Sequence, residues 1–235
     1  MKKNVLICLI VPALLVCGAV LYYTAEVIEA REHTRTAVAD ALADPDNILS
    51  LDDLSEERLS MLLAVEDPAF FSHHGVDLRT PGAGLTTITQ SLVKIFYFDG
   101  FKPGIRKIRQ TLIARFALDP LVSKEDQLVL FLNYIGLGKG TRGFAEASEY
   151  YFNKTFADLT DDEYLALVAM LIAPATFNVE DYPERNARRV SRIEAVIEGE
   201  YIPKGLCDLY YGPMEEEIID RLPPMSYFER YYEDD

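Results

Sequence analysis

An uninterrupted apolar run near the N-terminus is the feature that most limits what this chain can fold into. No Asp, Glu, Lys or Arg occurs between Asn4 and Ala25. As a helix, the run would be roughly 33 Å long at about 1.5 Å per residue, which is enough to span a bilayer. Pro12 does not exclude a span, because membrane helices tolerate proline. The sequence therefore predicts a transmembrane anchor over residues 1–25.

Two processing signals compete with this interpretation. A cleaved signal peptide has a shorter apolar core and a small-x-small cleavage site, and no clear site of that kind precedes Glu26. Cys17 suggests a lipoprotein signal, but the preceding Leu15 and Val16 are a poor fit to the usual small residues. We favour an uncleaved anchor. Lys2 and Lys3 then place the N-terminus in the cytoplasm and the remaining chain outside it.

Helical signals dominate the chain after a polar juxtamembrane linker over residues 26–53. Ser55 is a plausible N-cap for a helix through Val65, and Ser123 caps another apolar segment. Thr160 and Glu163 form a capping box before an apolar helix that we expect to stop at Pro174. Residues 185–198 indicate an amphipathic basic helix. No convincing period-2 strand occurs, so the predicted fold class is mainly α.

Two further helices are predicted from apolar spacing. The first covers residues 85–97, with Leu85, Ile88, Leu92, Ile95 and Phe96 on one face. The second begins at Pro103, and its apolar residues are expected to face inward: Ile105, Ile108, Leu112 and Phe116. A single folded domain is expected over residues 54–198. An acidic Tyr/Pro-rich tail over residues 199–235 is expected to be docked or partly disordered.

The charge and cysteine content exclude some functions. The net charge is −15, and the acidic balance argues against a nucleic-acid partner, which would need a basic surface. Cys207 is the one cysteine outside the predicted anchor. One cysteine forms neither a disulfide framework nor a zinc cluster.

The stretch from Glu66 to Asp77 concentrates acids, phenylalanines and histidines directly after an apolar helical run. An acid beside apolar side chains has the raised pKa that a general acid or base requires, because desolvation disfavours the ionised form. The alternative is that Glu66 and Asp67 only end a helix and that the histidines lie in a hydrated turn. The residues that follow decide between these interpretations.

Polar and cationic groups follow in sequence. Gly84 to Gln90 places three threonines and an amide at a predicted helix start, where free N–H groups favour an anion. Lys94 follows four residues later on the same face. Five cations then occur with no acid before Asp119: Lys102, Arg106, Lys107, Arg109 and Arg115. A solvated helix face is the alternative, but a strip that binds phosphate explains the local charge reversal better. Asn133 follows an apolar stretch, where its amide would need partners.

Taken in order, these patches resemble the peptidoglycan glycosyltransferase family: the transglycosylase domain of class A penicillin-binding proteins and the monofunctional enzymes. Its motif E-D-x-x-F-x-x-H-x-G-x-D is matched in full by Glu66, Asp67, Phe70, His73, Gly75 and Asp77. Its motif G-x-S-T-I-T-Q-Q-L-x-K is matched by Gly84, Thr87, Ile88, Thr89, Gln90, Leu92 and Lys94. Thr86 replaces the serine, and Ser91 replaces the second glutamine.

Two later motifs match less completely. The family's R-K-x-x-E appears as Arg106, Lys107 and Gln110, with glutamine in place of glutamate. The fourth motif runs from Lys124 to Asn133, with Val129 where a glutamate is usual. Ser91 and Lys94 also fit the S-x-x-K motif of penicillin-binding transpeptidases, but neither S-D-N nor K-T-G follows.

The resemblance implies a lysozyme-like α-helical domain at the outer surface of the bacterial cytoplasmic (inner) membrane, behind a single-pass anchor. It implies an enzyme that polymerises lipid II into glycan strands, in which the acceptor's sugar 4-hydroxyl displaces lipid diphosphate with inversion. Glu66 would be the general base and Gln110 would stand at the second catalytic position. The other implied substrate-binding residues are Asp67, His73, Thr86, Thr87, Gln90, Lys94, Arg106, Lys107 and Asn133. Cell-wall synthesis proteins are implied partners, and a divalent cation (Mg²⁺ or Mn²⁺) is the one cofactor to consider.

Gln110 leaves two other functions open. An amide cannot ionise, transfer a proton or bind a metal strongly. The chain could therefore be a weak or inactive relative that binds lipid II or glycan as a scaffold. A lysozyme-like hydrolase that uses Glu66 as an acid is the third interpretation. It is disfavoured because a hydrolase has no use for Arg106 and Lys107.

Overall fold

The computed structural model describes residues 2–100 and 104–213. Lys102 and Pro103, which we placed in the cationic strip and at a helix start, lie outside the described residues, as does the tail beyond residue 213. The described part is helical, with one isolated bridge between Gly136 and Arg142 and no strand. The predicted mainly α fold class is confirmed. The α-helices are α1 (Lys2–Leu42), α2 (Glu56–Glu66), α3 (Ile88–Tyr97), α4 (Ile105–Ile113), α5 (Lys124–Tyr134), α6 (Gly143–Phe152), α7 (Asp161–Met170) and α8 (Pro183–Ile197).

Helix α1 contains the predicted anchor and continues without a break to Leu42. Within the described residues, its Leu9–Leu42 part is the one helix long and apolar enough to cross a membrane. Near its middle the Glu26 carboxylate pairs with the guanidinium of Arg109 on α4. Arg31 donates a hydrogen bond to the main-chain oxygen of Phe116 at 2.6 Å. The anchor helix and the α4 region are therefore packed together.

Capping residues begin several helices where the sequence predicts. Ser55 and Ser123 accept hydrogen bonds from the main-chain nitrogens of Arg58 and Asp126, three residues ahead. Thr160 and Glu163 form the predicted capping box of α7. Helix α7 ends at Met170, four residues before the expected stop at Pro174. Helix α6 was not predicted.

The core is built around α7. Every residue from Tyr164 to Met170 is buried, and α7 packs against α2, α6 and α8. Helix α5 adds Leu128, Leu130, Phe131 and Leu132, which are fully buried. Helix α3 starts at Ile88 rather than Leu85, because Thr87 caps it with its own side chain. Leu85 lies in the preceding loop and is exposed.

The expected inward orientation of the α4 apolar residues is wrong. Ile105, Ile108 and Phe116 are exposed, and Phe116 lies in a π-helical turn (Ala114–Leu118) that follows α4. Leu112 and Phe116 line an apolar groove of about 590 Å³ with residues of α1 that include Val20. The spacing identified a one-sided apolar face, but it could not distinguish a face packed in the core from one exposed beside α1.

The chain after α8 returns to the loop before α3. Residues 199–213, the C-terminal segment, are held there by two main-chain hydrogen bonds. Gly82 donates to Gly205 at 2.9 Å, and Gly84 donates to Leu206 at 2.8 Å. A Cβ atom on Gly84 would lie 2.7 Å from Leu209, and the φ of +70° at Gly84 also favours glycine. The described part of the predicted tail is therefore docked.

Candidate active site

A cavity of about 290 Å³ opens where the C-terminus of α2, the start of α3 and the middle of α8 meet. Its polar lining combines one carboxylate with two cations and two hydroxyls. The residues that matter for its chemistry are Glu66, Thr86, Ser91, Lys94, Arg189 and Leu209. Three of the sequence-predicted site residues, Glu66, Thr86 and Lys94, therefore lie in one cavity.

Glu66 is the last residue of α2 and is only partly accessible at the cavity wall. Burial raises the pKa of its carboxyl to about 7, and the neighbouring Asp67 acts in the same direction. Lys94 and Arg189 oppose this rise through their positive charges. A carboxyl with a pKa near 7 is suited to accept a proton at neutral pH. At that pH it is still partly ionised, and its carboxylate is a stronger base than one with an ordinary pKa.

Two lysines supply positive charge in or next to the cavity. Lys94 projects from α3 into the cavity, and burial lowers its pKa while Glu66 raises it. The Lys107 ammonium donates to the main-chain oxygen of Leu85 at 2.6 Å and to the Thr86 hydroxyl at 3.0 Å. Burial, with the charge of Lys94 nearby, lowers the pKa of Lys107 to about 8. Lys94 therefore lies in the cavity with Glu66, and Lys107 reaches its edge through Thr86.

Asp67 and His73 form a buried pair behind the cavity. The Nε2 atom of His73 lies 2.9 Å from both carboxylate oxygens of Asp67. The Asp67 carboxylate also accepts from the main-chain nitrogen of Ile88 at 3.0 Å. Asp67 is fully buried, so its contacts tie the loop after α2 to the start of α3. This fixes the position of Glu66, the preceding residue.

Thr87 and Gln90 form the N-terminal cap of α3. The Thr87 hydroxyl donates to the main-chain oxygen of Gly75 at 2.8 Å and accepts from the Gln90 nitrogen. The Gln90 side chain in turn accepts from the Thr87 nitrogen and donates to Thr111. Both residues are buried. In this structure they hold the loop that carries Thr86.

Gln110 does not line the cavity. It is fully buried, and its Nε2 atom donates to the main-chain oxygen of Gln90 at 2.6 Å. Arg106, which shares its i,i+4 spacing, is exposed and donates to the main-chain oxygen of Gly100. Helical i,i+4 spacing would place these two side chains on one face of α4. They point apart because Gln110 faces α3 while Arg106 turns toward the loop that precedes α4.

The remaining predicted residues are dispersed. Asn133 lines a separate cavity of about 700 Å³, where its amide exchanges hydrogen bonds with the main chain of Leu49 at 3.1 and 2.7 Å. Arg109 pairs with Glu26, and Arg115 donates to the main-chain oxygen of His74. The predicted cationic strip is thus divided among several structural contacts, and Lys107 is the member that contacts a residue of the cavity lining, Thr86.

A family model described as "Transglycosylase" matches residues 35–198, which is more than half of the chain. The chain belongs to the transglycosylase family. The resemblance inferred from the motifs is therefore confirmed.

Curated relatives of this transglycosylase chain are penicillin-binding proteins. Penicillin-binding protein 1F of Bacillus subtilis is 33% identical over 154 residues, which cover 60% of this chain and 21% of that protein. Penicillin-binding protein 1A of Neisseria gonorrhoeae is 34% identical over 146 residues, with 57% and 18% coverage. Penicillin-binding protein 1A of Vibrio cholerae is 31% identical over 174 residues, with 68% and 21% coverage. The match spans about a fifth of each relative.

The cavity of this transglycosylase domain does not fit a protein-bound divalent cation. Glu66 is its one lining carboxylate, and it faces the positive charges of Lys94 and Arg189. Asp67 is occupied by His73 and Ile88. Magnesium and manganese need several oxygen ligands, which this cation-rich wall does not supply. No group of three His, Cys, Asp or Glu side chains in the described residues could hold a metal.

Sequence reasoning missed the cavity residues that come from the C-terminal part of the domain. Arg189 was assigned only to an amphipathic basic helix, and Leu209 to the tail. One sequence signal could have indicated Arg189. It lies on a helix that also carries apolar residues, and a cation on the packed face of such a helix needs a buried partner. No local pattern indicates that the C-terminal segment returns to the loop before α3.

Proposed function

We propose that this chain is a membrane-anchored peptidoglycan glycosyltransferase that polymerises lipid II into glycan strands. The observation that carries the proposal is the shared cavity of Glu66 and Lys94, with Lys107 at its rim. A carboxyl with a raised pKa and two ammonium groups meet the two demands of the reaction: a base and a counter-charge. Membership of the transglycosylase family supports the same reaction class.

Glu66 acts as the general base in this mechanism. Its carboxylate accepts the proton of the acceptor's sugar 4-hydroxyl as that oxygen forms a bond to the donor's anomeric carbon. The bond between the anomeric carbon and the diphosphate oxygen breaks, and its electron pair leaves with the diphosphate. Attack from the side opposite the leaving group inverts the anomeric configuration. The proton, nucleophile and leaving group are then all accounted for.

Lys94 and Lys107 hold the leaving diphosphate. Charge accumulates on its bridging oxygen as the bond breaks, and ammonium groups held in a partly desolvated wall stabilise that charge more than water would. Arg106 is exposed on the same helix as Lys107 and can add a bidentate contact to the diphosphate when the substrate binds. Thr87 and Gln90 act indirectly, by fixing the loop that carries Thr86.

The membrane supplies the substrate. Helix α1 anchors the chain in the bacterial cytoplasmic membrane, with Lys2 and Lys3 on the cytoplasmic side and the folded domain outside. The apolar surface formed by Ile105, Ile108 and Phe116 lies beside this helix and faces the lipid. The cavity is then close to the bilayer surface, where lipid II presents its diphosphate.

A scaffold that binds lipid II or glycan without polymerising it is the second candidate. Gln110 favours it, because the cavity contains one carboxylate and position 110 supplies none. A lysozyme-like hydrolase is disfavoured by the two lysines beside Glu66, which would stabilise a leaving diphosphate but serve no purpose in cleaving a glycan.

One assay separates the three candidates. The full chain is reconstituted in liposomes with fluorescently labelled lipid II, and the products are resolved by gel electrophoresis. A glycosyltransferase yields a ladder of glycan polymers. A scaffold yields no polymer but retains the lipid in a binding measurement. A hydrolase shortens preformed glycan strands, which are supplied in a parallel reaction. A chain with none of these properties would refute the proposal.

A further inference from the structure

Arg189 is a buried cation whose hydrogen-bonding capacity is only partly used. Its side chain, on α8, is 2% exposed and lines the same cavity as Glu66. Its Nε and Nη1 atoms have no hydrogen-bond partner among the described residues. Burying a guanidinium is costly unless charges or dipoles compensate. Arg189 therefore needs neighbouring groups that stabilise its charge.

Tyr211 is the closest such group. The Arg189 guanidinium carbon lies 4.6 Å from the centre of the Tyr211 ring, a distance typical of a cation–π contact. The Tyr211 hydroxyl donates to the main-chain oxygen of Val65 at 3.3 Å. Val65 directly precedes Glu66, so one tyrosine contacts both the cation and the helix turn that carries the candidate base.

The structure fixes Tyr211 in this place. Its φ of +57° is in the left-handed region, which an aromatic residue rarely adopts. Arg192 donates to the main-chain oxygens of Tyr210 and Tyr211, each at 3.3 Å. The two hydrogen bonds from Gly82 and Gly84 hold the preceding part of the C-terminal segment. The segment is thus built to bring the Tyr211 ring to Arg189.

We propose that Tyr211 and Arg189 form a positioning pair for Glu66, in which the Tyr211 ring holds the guanidinium at the wall of the cavity that contains Glu66, and the Tyr211 hydroxyl holds the main chain of Val65. This inference rests on the proposed function, because it assigns the pair to the base of that reaction. Neither residue forms or breaks a bond. The C-terminal segment is consequently part of the active site, although the matched transglycosylase region ends at residue 198.

Four groups face Glu66 from the surrounding elements. Asp67, the next residue, favours the protonated form, whereas Lys94 on α3 and Arg189 on α8 favour the carboxylate. Tyr211 on the C-terminal segment also senses the Glu66 charge. Removing Lys94 would also remove a proposed diphosphate ligand. Removing Arg189 tests the electrostatic role alone.

The test uses two variants at each position. Arg189→Met removes the charge at similar volume, and Arg189→Lys keeps it. Tyr211→Leu removes the ring, and Tyr211→Phe keeps the ring and removes the hydroxyl. Tyr164→Leu is the matched control. The Tyr164 ring lies 5.4 Å from the guanidinium carbon of Arg58, and its hydroxyl donates to the Arg58 main-chain oxygen at 3.0 Å, away from the cavity lining.

The primary measurement is the titration of the Glu66 carboxyl, followed by ¹³C NMR in glutamate-labelled full chain in detergent and assigned with Glu66→Gln. Arg189→Met and Tyr211→Leu should move the midpoint upward, on the order of one pH unit for the lost charge. Arg189→Lys and Tyr211→Phe should leave the Glu66 midpoint close to its wild-type value. The acidic limb of the pH profile of the lipid II polymerisation rate should move in the same direction as the Glu66 midpoint.

An unchanged Glu66 midpoint in Arg189→Met would overturn the pair's role. If that variant does not fold, Tyr211→Leu decides, since leucine keeps an apolar side chain at this buried position. An equal shift in Tyr164→Leu would also overturn it, because the effect would then follow from lost packing. If the variants shift the Glu66 midpoint but the wild-type chain makes no polymer, the role of the pair is supported and the glycosyltransferase function is refuted.

Discussion

The side-chain nitrogen of Gln110 donates a hydrogen bond to the main-chain oxygen of Gln90 at 2.6 Å. This contact joins α4 to α3 in the fully buried space behind the cavity. The family motif has a glutamate at position 110. An ionised glutamate there would place a carboxylate oxygen against the main-chain oxygen of Gln90, and both atoms only accept hydrogen bonds. The amide nitrogen therefore suits this contact, and the proposed chemistry rests on Glu66 rather than on position 110.

Gln110→Glu should destabilise the protein and should not increase its activity. The carboxylate loses the donor to Gln90 and is buried, which costs about 1–3 kcal/mol. Its pKa in the folded state should lie above its value in the unfolded chain. Stability is therefore near wild type at pH 4 and falls as pH rises above the unfolded value. Thermal unfolding at pH 4 and pH 8, with a polymerisation assay, measures this.

Gln127→Glu is the control for that experiment. Gln127 is also fully buried and donates to a main-chain oxygen, that of Val122, but it does not line the cavity. Both variants should lose stability at pH 8. A Gln110→Glu chain that is as stable as wild type and polymerises lipid II faster would show that position 110 does take part in the chemistry.

Polymerisation should have a narrow pH optimum between about 7 and 8. The acidic limb follows Glu66, whose pKa is raised to about 7 and which must be ionised to accept a proton. The alkaline limb follows Lys107, whose pKa is lowered to about 8 and which loses its charge above that pH. Initial rates between pH 5 and 10 provide the profile.

Lys107→Arg isolates the alkaline limb. Arginine stays protonated throughout this range, so the rate should remain high above pH 8 while the acidic limb stays in place. If the alkaline limb keeps its midpoint in this variant, Lys107 is not the group that titrates.

Deletion of residues 2–25 should weaken polymerisation in liposomes more than in detergent. In the proposed function the substrate is a lipid, and α1, which is long and apolar enough to cross a membrane, keeps the cavity at the bilayer surface. The deletion leaves Glu26 and its ion pair with Arg109 in place, so the domain should stay folded. Rates in both media, normalised to the full chain, test this. Equal losses in the two media would contradict the role assigned to the anchor.

Local patterns in the sequence identified most of the helices and three residues that line one cavity. Ser55, Ser123 and Thr160 were identifiable as caps because a cap bonds to a nitrogen only three residues away. Glu66, Thr86 and Lys94 were found because the family motifs place them. The predicted inward orientation of Ile105 and Ile108 was wrong because apolar residues have the same helical spacing on a face packed in the core and on an exposed apolar face.

Long-range contacts were not predictable in the same way. Leu209 packs on Gly84 and Tyr211 on Arg189 through a return of the chain that no short pattern encodes. The opposite orientations of Arg106 and Gln110 depend on which neighbours each helix face meets. Helical spacing gives the angle between two side chains along one helix, but it does not give the surroundings of either.

Glu66→Gln should be more stable than wild type at pH 8 and equal to it at pH 4. The folded-state pKa of Glu66, about 7, lies above its ordinary value of 4.5, so stability falls as pH rises from 4.5 to 7. The gain from removing the charge is on the order of 1–3 kcal/mol at pH 8. Thermal unfolding at both pH values checks this, and lower stability at pH 8 would contradict it.

The same variant tests the central claim most directly. Full chains of wild type, Glu66→Gln and Glu146→Gln are reconstituted with labelled lipid II at pH 7.5, and polymer is measured on a gel. Glu146 lines the separate cavity that contains Asn133 and not the cavity that contains Glu66. Its variant should therefore polymerise like wild type. Glu66→Gln should bind lipid II and make no polymer, because an amide cannot accept the proton of the acceptor hydroxyl. Polymerisation by folded Glu66→Gln at the wild-type rate would contradict the account.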